Sequence, residues 1–155
     1  MSQVNVVSKV VIIANLRSDS HFNLVRRRPL ERAIEKRGFE VVLICIYEIK
    51  KLARSYSMNE ASQYVRTVVR GAAHIIVHKE CLEYLSKEFF RKLNNISTLG
   101  FLGDESWQQK AVSNFLPMFG TSVVYDTQVS KVYRSLGHNV NQLLVGTNFK
   151  PVDEL

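Results

Sequence analysis

Two neighbouring carboxylates, Asp104 and Glu105, stand in the pentapeptide Gly103-Asp104-Glu105-Ser106-Trp107. The apolar residues 96–102 lead into it and an amphipathic stretch, residues 107–116, follows. That pattern predicts a strand ending in two acids at the mouth of a helix. In open α/β sheets, ligands bind in the crevice outside the carboxyl ends of the strands. The acids would be solvated in the free domain yet close to anything bound there. They are equally suited to capping the next helix, whose exposed N–H groups and dipole favour an anion. A cap and a ligand role are compatible.

A second polar group precedes them. Residues 15–28 hold Asn15, Arg17, Asp19, His21, Asn23 and the triplet Arg26-Arg27-Arg28. Such a loop is about twice the usual length for a connection of this kind. Arginine could fork onto a carboxylate or phosphate, and His21 could act as acid or base near neutral pH. The alternative is a surface loop whose helix starts earlier, near Phe22, and kinks at Pro29. His78 and Lys79 end a later strand on the same rim, and Asp126 follows another.

The elements that would position these residues alternate regularly. Apolar runs at residues 9–14, 39–46, 73–77, 99–102, 122–125 and 140–145 read as strands, continuous enough for burial on both faces. Helical spacing separates them. One helix starts at Pro29 and stops at Gly38. Ser57 and Glu60 have capping-box spacing ahead of Ala61, Tyr64, Val65, Val68 and Val69. Leu82, Leu85, Phe89 and Leu93 mark another helix, and Val129, Val132, Tyr133 and Leu136 a further one. The expected fold is α/β: a doubly wound, three-layer Rossmann-like domain. Its six-stranded parallel sheet would have the order 3-2-1-4-5-6, with the crevice between strands 1 and 4.

The chain has 155 residues, one domain's worth, with a net charge of +7. Residues 1–80 carry fourteen Lys and Arg against seven Asp and Glu, whereas residues 81–155 carry seven of each. The basic half therefore suggests an anionic contact, through Arg26, Arg27 and Arg28 among others, or else a solvated face. No apolar run is long enough for a membrane helix and no secretory signal opens the chain. Cys45 and Cys81 lack metal-ligand spacing and read as buried thiols of a reducing compartment, so a cytoplasmic site, peripheral to a membrane or not, is expected.

Several chemistries are disfavoured. The first strand-to-helix turn, Asn15-Leu16-Arg17-Ser18-Asp19-Ser20-His21, has no glycine, so its backbone is poorly suited to a dinucleotide pyrophosphate. There is no Walker lysine motif and no nucleophile elbow. His74 and His78 are four apart on a strand without a third ligand, which argues against zinc. His138 follows a helix stop and reads as a surface residue. The aromatics are not interleaved with the basic clusters, so nucleic acid is not the expected partner.

Longer stretches have a familiar form. Leu-Gly-Phe-Leu-Gly-Asp-Glu-Ser-Trp (99–107), Val-Val-Tyr-Asp-Thr (123–127), Lys-Val-Tyr-Arg-Ser-Leu-Gly (131–137) and Leu-Leu-Val-Gly-Thr-Asn-Phe (143–149) follow one another. Together with Pro-Leu-x-x-Ala-x-x-x-x-Gly-Phe-Glu-Val (29–41), this series resembles the N-terminal domain of GT-B-fold glycosyltransferases, especially the CgeB-like spore-maturation group. The resemblance implies residues 1–146 as an acceptor-side domain and 147–155 as the start of an interdomain linker. It implies Asp104 and Glu105 as catalytic acids, one of them a base for the acceptor hydroxyl. Asn15, Arg17, Asp19, His21, His78, Lys79, Trp107, Asp126 and Asn148 would line the acceptor side. No cofactor or metal is implied. The nucleotide-sugar donor would bind mainly a second domain, without which the isolated chain would be inactive. The other reading of the same residues is a non-catalytic binding module for an anionic ligand or a protein partner.

Overall fold

A computed structural model describes residues 7–20, 23–24, 27–78, 85, 87–92, 97–103, 119–124 and 127–142. In chain order they form β1 (Lys9–Ala14), α1 (Arg27–Glu35), β2 (Glu40–Cys45), α2 (Ile46–Ser55), α3 (Met58–Val69), β3 (Ala72–His78), α4 (Lys87–Arg91), β4 (Ser97–Gly103), β5 (Thr121–Val124), α5 (Thr127–Ser135) and β6 (Val140–Gln142).

In the parallel unit β2-β1-β3, Val11 lies level with Val42 on one side and Ile75 on the other. The order continues from β3 through β4 and β5 to β6, every pairing being parallel. The expected Rossmann-like six-stranded sheet of order 3-2-1-4-5-6 is therefore corrected. The third strand crosses β1 and docks on its far side instead of extending the sheet beyond β2. Two successive helices, α2 and α3, occupy the connection from β2 to β3 with no strand between them. Strands 1 and 4 are consequently not neighbours, because β3 lies between them.

Alternation along β1 explains the layering. Val11 and Ile13 join Ile44, Ile49, Ala61, Val65, Phe89 and Tyr133 in one buried cluster. Val10, Ile12 and Ala14 join Ile76, with Leu30 and Ile34 of α1 packed against them, on the other face. Right-handed crossovers require this division. The single step from β1 outward to β2 places α1 on one face, and the steps in the opposite direction place the later helices on the other.

The helix ends follow local chemistry. Ser57 Oγ accepts the Glu60 N–H at 3.1 Å and caps α3. At Gly38, φ is +86°, and the Gly38 and Phe39 N–H groups donate back to the Glu35 and Ile34 carbonyls. That pairing is a Schellman turn, with Phe39 and Ile34 packed in the same cluster. α1 starts at Arg27, two residues before the expected Pro29, which still falls in the first turn where its missing N–H is harmless. Among the described side chains of α5, Tyr133 and Ser130 are buried, whereas Val132 and, just past the helix, Leu136, both expected on the apolar stripe, are exposed. Cys45, expected to be buried, is a half-buried free thiol. Cys81 lies outside the described residues.

Candidate functional site

The reversal of strand order lies between β1 and β3, so the crevice belongs at their carboxyl ends. It was expected between strands 1 and 4. Ile13 pairs with Val77, which sets Ala14 level with His78, and His78 pairs in turn with Phe101 of β4. The first loop thus leaves the sheet beside the end of β3, with β4 one strand further on.

The first loop folds on itself through its own polar groups. The Arg17 N–H donates to Asn15 Oδ1 at 3.1 Å, an Asx turn. The Ser20 N–H donates to the Arg17 carbonyl at 3.0 Å. Ser20 Oγ donates to the Asn15 carbonyl at 2.7 Å and accepts the Asn23 N–H at 3.1 Å. Asn15 and Ser20 therefore spend their polar atoms holding the loop, while Arg17 is projected from it.

Arg17 is the exposed reach of this loop. Its Nε lies 3.3 Å from Asp19 Oδ1. Its guanidinium carbon stands 5.2 Å from the centroid of the Tyr47 ring, and Lys50 Nζ stands 5.4 Å from the same centroid. The contact with Tyr47, and then the charge of Asp19, hold the Arg17 pKa above its ordinary value. Tyr47 is in the first turn of α2, which begins directly at the carboxyl end of β2. Ile46 and Ile49 anchor that helix in the core. Its outer stripe is Tyr47, Lys50, Lys51 and Arg54, spaced to share one face.

The arginine triplet is used differently. Arg27 Nε donates to Glu31 Oε1 at 3.0 Å, and another of its nitrogens donates to Asn23 Oδ1 at 2.9 Å. Arg28 reaches Glu31 Oε2 at 3.4 Å. Glu31 is buried, and two guanidinium groups compensate a carboxylate that would be costly alone. Arg27 thus ties the loop to α1, and Arg28 is the more open of the two. Arginines in a first turn oppose the helix dipole, which Glu31 offsets locally.

Of the residues expected at the site, Asn15, Arg17 and Asp19 come together in the first loop, and His78 is half-buried at the end of β3. His21, Arg26, Lys79, Asp104, Glu105, Trp107, Asp126 and Asn148 lie outside the described residues. No family model, no curated protein and no solved structure matches this chain. Among the described residues no three metal-ligating side chains gather, and no helix is long and apolar enough to cross a membrane.

Sequence reasoning missed α2 and with it Tyr47, whereas Lys50, Lys51 and Arg54 stood out only as a dense part of the basic first half. The signal was present: Ile46, Ile49 and Ala53 recur at helical spacing opposite the polar stripe. It was masked because the apolar run of β2 continues into Ile46 without a turn signal.

Proposed function

We propose that this chain is the acceptor-side domain of a GT-B-type glycosyltransferase, which transfers a sugar from a nucleotide-sugar donor to a hydroxyl-bearing acceptor. One observation carries the reading. β4 runs parallel to β3 and β1 and ends at Gly103. The chain therefore enters Asp104-Glu105 from the same end of the sheet as the Asn15–Ser20 loop and His78. Strands are about 4.8 Å apart, so β4, two strands over, leaves the sheet roughly 10 Å from β1 rather than beside it. A bound acceptor of one or two sugar units spans that distance.

In the proposed chemistry the acceptor oxygen attacks the anomeric carbon as the bond to the nucleoside diphosphate breaks. Asp104 or Glu105 takes the hydroxyl proton if the reaction inverts the anomeric centre. Donor contacts belong mainly to a second domain. The test is transfer of labelled sugar by the natural protein from a panel of uridine- and guanosine-diphosphate sugars. The reading predicts label on an acceptor with release of nucleoside diphosphate, and it fails if no donor is consumed.

The second reading, a non-catalytic module for an anionic ligand, is favoured by the two cations gathered at the Tyr47 ring. A natural protein that binds an anion at this rim but consumes no donor would select it.

A further inference from the structure

We infer that the outer edge of β2 receives an extended, acid-flanked segment of a partner protein, which joins the sheet as a further strand. The inference is independent of the transferase reading, because it concerns the side of the sheet and not its carboxyl-end rim.

The backbone of β2 carries it. β2 is the last strand on its side of the sheet and keeps unbroken register with β1 from Glu40 to Cys45. The Glu40 N–H donates to the Ser8 carbonyl at 3.0 Å, so the polar groups of Glu40, Val42 and Ile44 face β1. Alternation then turns the N–H and C=O of Val41 and Leu43 outward, with the N–H of Cys45. Among the described residues nothing bonds these groups. Such a row is a template for another strand, and β2 has none of the features that blunt an edge: it has six residues and no proline, lysine or bulge. The opposite edge, β6, is blunted. It has three residues, the Asn139 carbonyl accepts the Ser122 N–H from β5, and Arg134 Nε donates at 2.8 Å to the Val140 carbonyl that this turns outward.

Side chains and charge define the occupant. Val41 and Leu43 are half-buried with Leu30, Ile34 and Phe39 on one face, and Val42 is half-buried on the other. Apolar side chains on an added strand would complete that burial, while its backbone supplies the ladder bonds. Its flanks are acidic by complementarity. α1 and the turn into β2 carry Arg27, Arg28, Arg32, Lys36 and Arg37 against Glu31 and Glu35, and Glu40 is the only charge on β2 itself. Arg27 and Arg28 are engaged by Glu31. Exposed Arg32, Lys36 and Arg37 form no ion pair among the described residues, and the last two stand just before the Gly38 turn that leads into the amino end of β2. The same charge disfavours a second copy. Two-fold pairing of β2 with β2 would set two net-positive α1 helices side by side on one face of a joined sheet.

The probe is the fluorescein-labelled peptide Asp-Asp-Val-Ile-Val-Thr-Val-Asp-Asp, titrated with the whole chain by fluorescence anisotropy at about 0.1 M salt, where attraction beyond roughly 10 Å is screened. Micromolar binding is expected, with amide shifts gathered at Val41, Leu43 and Cys45. N-methylation of alternate peptide nitrogens should weaken it about tenfold or more without touching the protein, and Val41→Pro should do the same. That proline removes only an outward N–H, so the chain should still fold, whereas Val42→Pro breaks a bond to β1 and should lower the melting temperature. Reversing the charges, Lys36→Glu with Arg37→Glu, should weaken binding about tenfold and leave melting unchanged. Absence of binding overturns the inference, as do equal binding by the N-methylated peptide, shifts centred on β6, or indifference to the charge reversal. A dimer in sedimentation that Val41→Pro dissociates overturns it too, because the edge would then belong to a second copy.

Discussion

Arg17 owes its position to backbone bonds and not to its charge: the Asx turn at Asn15 and the bond from Ser20 set the loop before any side chain pairs. That is why an exposed arginine can be aimed at a rim. Tyr64 shows the opposite case, a polar group positioned by burial. Desolvation, then the hydrogen bond to Glu48 and its charge, raises the Tyr64 pKa above the ordinary 10.0. The folded state therefore retains the proton more strongly than the unfolded state. Its contribution is complete below the unfolded pKa and is lost as pH rises through the folded one. Replacing Tyr64 by Phe should cost under about 1 kcal/mol at neutral pH, since the pair is partly solvated. It should also flatten the alkaline loss of stability. Urea midpoints at about pH 8 and about pH 11 measure both effects, and an unchanged alkaline slope would show that Tyr64 contributes nothing to it.

At the scale of elements, the caps are where the sequence was most legible. Ser57, Gly38 and Gly137 sit where their types demand. Ser57→Ala should destabilise the chain by about 1 kcal/mol, from loss of the Glu60 N–H bond. Gly38→Ala meets no atom within 4 Å, so its cost is conformational alone. We expect roughly 1–2 kcal/mol for placing alanine at positive φ. Chemical denaturation checks both, and a neutral Gly38→Ala would mean that the turn relaxes. α2 was not legible because it starts without a cap or a break: Cys45 makes no side-chain capping bond, and apolar Ile46 is at once the end of the β2 run and the start of the helix. The outer face of α5 was misjudged for a related reason. Spacing identifies a stripe, but the choice between Val132 and Ser130 as its edge depends on which strand the helix covers.

For the whole molecule, alternation of strands and helices revealed a parallel sheet but not where the third strand docks. Both docking sides satisfy a right-handed crossover, and the pair of helices between β2 and β3 is long enough to reach either. The observed order makes a distinct claim about contacts. Backbone nuclear Overhauser effects should link Val11 to Ile75 and Ile12 to Ile76. Effects linking β1 to Leu99 or Gly100 instead would restore the order 3-2-1-4. With β3 central, the rim is composed of the Asn15–Ser20 loop, the start of α2, His78 and the exit of β4. Of these, only the start of α2 was not recognisable beforehand as part of a polar rim. The acids after β4 test the functional account most directly. Turnover of the natural protein should be measured with Asp104→Asn and with Glu105→Gln, alongside their melting temperatures. The account predicts that one of them lowers sugar transfer by roughly 10²–10⁴-fold while melting is nearly unchanged. Full activity in both, or a loss that appears mainly in melting, would make these residues helix caps and contradict it.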